Sequence, residues 1–74
     1  MQRMGSKIDL HGIRHRDVDR LVENFIFMNQ DRVPLEIITG NSQKMIDLVS
    51  DVMNRHGIAQ WSMHQYGRIV IFKL

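Results

Sequence analysis

A short apolar run that ends in glycine and leads into a helical stripe occurs twice in this chain, and no other feature constrains its fold as much. Lys7 to His11 alternates, with Ile8 and Leu10 on one side and Asp9 and His11 on the other, and Gly12 ends the run. Such period-two alternation belongs to a half-buried strand. Val18, Leu21, Val22, Phe25 and Ile26 then recur at spacings of three and four. They form one stripe of an amphipathic helix from His15 to Asn29. Asp17 and Asp19 stand in its first turns, where the helix dipole favours negative charge. The pattern then repeats. Val33 and Pro34 open a second strand, Leu35 to Thr39, since proline is tolerated at a strand's first residue. Gly40-Asn41-Ser42 form a turn, and Asn41 or Ser42 can cap the next helix. Met45, Val49, Val52 and Met53 make its inner stripe, widened by Ile46 and Leu48. Arg55, His56 and Gly57 close it with a basic turn and a glycine stop.

The remainder reads as two strands. Ala59, Trp61 and Met63 alternate with Gln60, Ser62 and His64. Tyr66-Gly67 turns the chain, and Arg68 to Leu74 is a β-branched and aromatic run. The order βαβαββ predicts an α/β fold. Its mixed four-stranded sheet would pair the first strands parallel and the last two as an antiparallel hairpin. Right-handed crossovers limit the topologies but leave the strand order open. Two helices cover one sheet face and leave the other less protected. Met45, Met53 and Met63 are expected as core filler, and Trp61 as a core residue of the hairpin.

Seventy-four residues make one small domain. A chain of this length buries only about 60% of the surface it exposes when unfolded. The core is thin, and a surface site or an interface is expected rather than a deep pocket. The polar residues 1–6 read as a flexible tail, and residues 7–74 as the domain. There is no cysteine, which excludes a disulfide scaffold, a thiol nucleophile and a cysteine zinc site, and fits a cytoplasmic protein. No stretch approaches the ~20 apolar residues of a membrane span, so no membrane partner is expected. The net charge is only +2, but seven of the ten basic residues are arginine. Arginine favours planar, bidentate contacts to phosphate and carboxylate.

Two constellations could carry chemistry. Asp9-x-His11-Gly12 would set a carboxylate and an imidazole side by side at the carboxyl end of a strand, where open α/β sheets place ligands. The imidazole could act as general acid or base, with the carboxylate orienting it. The spacing alone fits equally a turn-capping aspartate beside an ordinary histidine. The second is Thr39-Gly40-Asn41-Ser42, a loop before a helix N-terminus, where backbone N–H groups bind phosphate. Lys44 in the next turn opposes the dipole and makes sense beside an anion. A plain polar-capped turn fits the same residues. Both loops would share one edge of the sheet, with Arg14, His15 and Arg16 following the first closely. That gathering of charge and N–H groups around Asp9 and His11 suits a phosphodiester. Elsewhere, Phe25-Ile26-Phe27-Met28 runs around the helix, so at least one of these side chains faces away from the core. Phe27 and Met28 are candidates for a homodimer contact.

Ile8-Asp9-Leu10-His11-Gly12-Ile13 closely resembles the LDLHGL signature that opens small MutS-related (Smr) domains. Ile37-Ile38-Thr39-Gly40 is similar to that family's second motif, an apolar strand ending in TG or HG before a GxG-type loop. His56-Gly57 and Gly67-Arg68-Ile69-Val70-Ile71 resemble its last helix end and final strand, so the likeness spans residues 7–74. It implies a two-layer α/β sandwich similar to the C-terminal domain of bacterial translation initiation factor 3. It also implies nucleic-acid binding, to DNA or RNA, with endonuclease activity in several members. The family's cleavage residues correspond to Asp9 and His11, and its phosphate loop to Thr39, Gly40, Asn41 and Ser42, with Gly12, Arg14, His15, Arg16 and Lys44 around them. One departure stands out: Gly40-Asn41-Ser42 replaces GxG. A module that cleaves and a module that only binds are therefore both expected readings. Mg²⁺ or Mn²⁺ is the candidate cofactor for cleavage, although two side chains do not complete a metal site.

Overall fold

The computed structural model describes residues 6–74. Six elements follow in the order βαβαββ: β1 (Ser6–Asp9), α1 (His15–Met28), β2 (Leu35–Ile38), α2 (Gln43–Arg55), β3 (Gln60–Gln65) and β4 (Arg68–Lys73). The four strands form one mixed sheet in the order β1-β2-β4-β3. β1 runs parallel to β2, with Ile8 beside Ile37, while β4 is antiparallel to both β2 and β3. The last strand in the chain thus lies inside the sheet, and β1 and β3 form its edges. The expected tail, residues 1–6, falls outside the described residues except for Ser6, which belongs to β1.

Hydrophobic period dictates the layering. Leu35 and Ile37 of β2 and Ile69 and Ile71 of β4 are side by side in register and fully buried. Val18, Val22 and Ile26 of α1 and Met45, Ile46, Val49, Val52 and Met53 of α2 are also buried. Apart from Ile46, these side chains form one core between the sheet and the two helices, joined by Leu10 and Ile58. The alternate strand positions, Lys7, Asp9, Glu36, Ile38, Arg68, Val70 and Phe72, fall on the opposite sheet face, which no helix covers. Trp61 pairs with Ile71 and packs against the core, as its inward position requires.

Met63 is a correction. Strict alternation from Trp61 would turn it inward, yet it is 36% exposed. The pairing of β3 with β4 shifts between Ser62 and Gln65. An extra residue on one strand breaks the inside–outside alternation there. Several element ends also differ from the sequence reading, among them β2, which stops at Ile38 before Thr39. β1 stops at Asp9, because His11 and Gly12 form a turn. Pro34 lies outside β2, consistent with its lack of an N–H for the ladder. β4 ends at Lys73.

Helix termini are handled unequally. The α2 N-terminus is capped by Ser42, whose Oγ accepts from the Met45 N–H at 3.1 Å. Its C-terminus ends on Gly57 at φ +69, with Ile58 N–H donating to the Met53 carbonyl at 2.9 Å. That six-to-one bond with a buried residue after the glycine is the Schellman arrangement. At the C-terminus of α1, the Asn29 side chain donates to the Phe25 carbonyl at 2.7 Å and accepts from Ser6 Oγ at 2.9 Å. One amide therefore satisfies the helix end and ties it to β1. The N-cap of α1 is Arg14, which makes no side-chain capping bond.

No helix among the described residues is long and apolar enough to cross a membrane.

Candidate functional site

Three loops meet at one edge of the sheet. Because β1 and β2 are parallel, the β1–α1 and β2–α2 loops leave from the same ends of their strands. Because β4 is antiparallel to β2, the turn joining β3 to β4 arrives at that edge too. The first two loops were expected together. The third was not, because sequence pattern left open which strand β4 adjoins.

The first loop begins with Leu10, which is buried and whose N–H donates to the Ile38 carbonyl at 2.8 Å. Ile13 N–H donates to the Leu10 carbonyl at 2.9 Å, closing a turn with Gly12 at φ +84 in its third position. Glycine suits that place because a side chain there would be strained. The Asp9 Oδ1 accepts from the His11 backbone N–H at 2.9 Å. Asp9 and His11 are therefore coupled through the backbone of a turn. Facing side chains along a strand, as the sequence pattern suggested, do not occur, since the strand has already ended. Aspartate bonds of this kind over two residues are a common means of fixing a turn. Asp9 and His11 are both exposed.

The second loop is held from both sides. Thr39 N–H donates to the Gly67 carbonyl at 2.8 Å, and Thr39 Oγ1 to the Gly40 carbonyl at 3.0 Å. Thr39 is 2% exposed, so its hydroxyl shapes the loop from within. Gly40 has φ +74, and a Cβ there would lie 3.6 Å from Cδ2 of His11. The His11 imidazole thus lies beside the second loop, and the Leu10–Ile38 hydrogen bond ties the start of the first loop to the end of β2. Asn41 and Lys44 are exposed, and Ser42 is half-buried at its cap.

The third loop is fitted tightly to the second. A Cβ on Gly67, at φ +88, would come within 2.6 Å of the Gly40 carbonyl oxygen. Only glycine permits this approach. Beside it, Tyr66 donates its hydroxyl to Gln43 Oε1 at 3.2 Å, and Gln43 Nε2 donates to Asp47 Oδ1 at 2.9 Å. Arg68 bonds Gln65 at 3.4 Å and pairs with Glu36 on the uncovered face. Gln43, Tyr66, Gly67 and Arg68 were not expected at this site. The Tyr66-Gly67 turn was legible, but its position followed from strand order.

Several cations gather at this edge, although Lys7, Arg32 and Lys73 elsewhere also make no ion pair among the described residues. Arg55 pairs with Asp19 at 3.1 Å, His56 Nε2 meets Glu23 at 3.0 Å, and Arg20 pairs with Asp17 at 3.5 Å. Arg14, Arg16 and Lys44 make no ion pair among the described residues, and with His15 they are exposed. All four stand at the positive ends of the two helices. A cation there is unfavourable by roughly 0.3–1 kcal/mol, and an anion favourable by as much. Among the described residues no group of three or more His, Asp or Glu side chains could hold a metal ion.

Compared with protein-family models, curated proteins and solved structures, the chain finds no match.

Proposed function

We propose that this chain is a nucleic-acid-binding domain of the Smr type, which grips the phosphate backbone at the three-loop edge. The observation that carries this reading is charge placed against the helix dipole. Two helices present their positive ends on one edge, and both bear unpaired cations there. α2 has no acidic residue in its first turn, whereas α1 has Asp17 there but begins on an arginine without a side-chain cap. A bound phosphodiester would turn each of these unfavourable placements into a contact. Gly12, Arg14, His15 and Arg16 would serve one phosphate and Gly40, Asn41, Ser42 and Lys44 another, with Thr39 shaping the loop.

The test is binding of labelled DNA and RNA over a salt series. Two to three phosphate contacts would give a slope of log affinity against log salt of about −2 to −3. Arg16→Glu and Lys44→Glu would each flatten the slope by about one. Affinity that ignores salt, or survives both changes, would remove the reading.

A second reading adds phosphodiester cleavage, favoured by the position of the His11 imidazole beside Gly40. A ring beside the phosphate loop is placed to act as general acid or base. Asp9 would hold the turn that presents it. Mg²⁺ or Mn²⁺, if used, would draw most of its ligands from water and substrate phosphates. Nicking of supercoiled plasmid, or cutting of labelled RNA, would be measured with Mg²⁺, Mn²⁺ or EDTA. Loss of cutting in His11→Ala identifies an endonuclease; equal behaviour of the two proteins leaves a binding module.

Self-association is a separate proposal for the opposite side of the molecule. Phe27 and Met28 are 72% and 68% exposed, and Met28 lines an apolar groove with Ile8, Leu21 and Phe25. Covering such a patch with a second copy would bury it.

A further inference from the structure

An aromatic ring stands beside the phosphate loop with no packing role. Tyr66 is 55% exposed, yet it is held on both sides. Its turn is pinned to the second loop by the Thr39–Gly67 hydrogen bond and by the Gly67–Gly40 approach. Its hydroxyl is fixed by Gln43, whose amide is fixed in turn by Asp47. A tyrosine has few rotatable bonds, so a ring so tethered offers a contact surface at low entropic cost. Tyr66 and Gly40 line the same shallow depression, together with Lys7, Gln65 and Arg68. That depression therefore joins an aromatic ring, a glycine loop, two cations, a side-chain amide and the Glu36 carboxylate, which is paired with Arg68.

We propose that Tyr66 is a base-stacking residue, and that the domain selects nucleic acid with unpaired nucleotides, single-stranded or looped, over a continuous duplex. This rests on the nucleic-acid reading above and adds the substrate class. A base inside a duplex has both faces covered by its neighbours. A splayed base has a face free to lie on an aromatic ring. With a phosphate at the Gly40–Ser42 loop, the attached base is the group that reaches Tyr66. Gln65 can bond a base edge with either end of its amide. Arg68, paired with Glu36 and bonded to Gln65, would have to exchange those partners to take the next phosphate, but its guanidinium plane can stack on the base. Every base has a π-face, so the contact favours strandedness more than sequence.

The experiment compares a short labelled single strand with a blunt duplex of the same sequence, in DNA and RNA forms. It uses the intact chain, Tyr66→Leu and Tyr66→Phe. The expected result is tighter binding of the single strand by the unaltered protein. Tyr66→Leu should weaken single-strand binding about tenfold and leave duplex binding unchanged, in line with the loss of one stacking contact. Tyr66→Phe keeps the ring and should retain most of the affinity. Single-strand affinity untouched by Tyr66→Leu overturns the proposal. So does an equal loss in Tyr66→Phe, which would assign the effect to the hydroxyl. If the unaltered protein binds both substrates alike with a clear salt slope, the nucleic-acid reading stands and this proposal falls. If it binds neither, both fall. Should Tyr66→Leu unfold, strands carrying 2-aminopurine at successive positions replace it. Fluorescence unchanged at every position on saturation with the unaltered protein would overturn stacking.

Discussion

The identity of two single residues says most about this domain. Arg14 occupies the N-cap of a fourteen-residue helix, in an extended conformation that serine or aspartate could adopt. A side-chain cap contributes ~0.5–2 kcal/mol at such a position, and arginine forgoes it. Arg14→Ser should therefore raise the urea midpoint while weakening nucleic-acid binding, a trade that marks a residue kept for function. Unchanged affinity in a stabilised Arg14→Ser would remove Arg14 from the interface. Gly67 makes the opposite case, since both its backbone angle and its surroundings demand glycine. Gly57 has a similar φ but nothing within 4 Å of an added Cβ, whereas at Gly67 the Gly40 carbonyl stands in the way. Gly57→Ala should cost about 1–2 kcal/mol from the left-handed backbone alone. Gly67→Ala should cost about 1–3 kcal/mol beyond that for the steric clash. Equal losses on denaturation would mean that the two loops part readily. Ser42→Ala, which removes a single capping bond, should lower stability by about 1 kcal/mol.

At the scale of elements, the sequence yields what is local and withholds what is not. The helix α1 starts at the expected His15 and ends one residue short of the expected Asn29, which bonds the helix end with its side chain. The stripes of both helices are legible because a period of three and four has only one buried side. The same logic fails at Met63, where a register shift interrupts the period of two. It fails also at His11, since a turn residue has no strand face. The placement of Tyr66 and Gly67 beside Gly40 depends on β4 entering between β2 and β3, a long-range pairing that no local pattern records. Between the helices, Asp19 and Glu23 of α1 meet Arg55 and His56 at the end of α2. These groups are about half exposed, so the cluster contributes little individually. Arg55→Ala should lower stability by less than about 1 kcal/mol, with the difference shrinking in high salt. A larger loss would give the ion cluster a structural weight that exposed pairs rarely have.

The two ends of the molecule differ in surface chemistry. One edge carries the three loops with Arg14, Arg16 and Lys44, and away from them the outer surface of α1 carries Phe27 and Met28. If the apolar side is an interface, light scattering at rising concentration should report a dimer that Phe27→Lys returns to monomer. A strict monomer at every concentration would mean that the patch is tolerated exposure. The sheet order has one more consequence, for how such a chain is made. Strands β1, β2 and β3 cannot form a continuous sheet by themselves, because β4 separates β3 from β2. A ribosome delivers β4 after every other element. Until Arg68–Lys73 leaves the exit tunnel, the core lacks Ile69 and Ile71 and β3 lacks its partner strand. The three-loop edge, which needs Gly67, comes into being only in that final step.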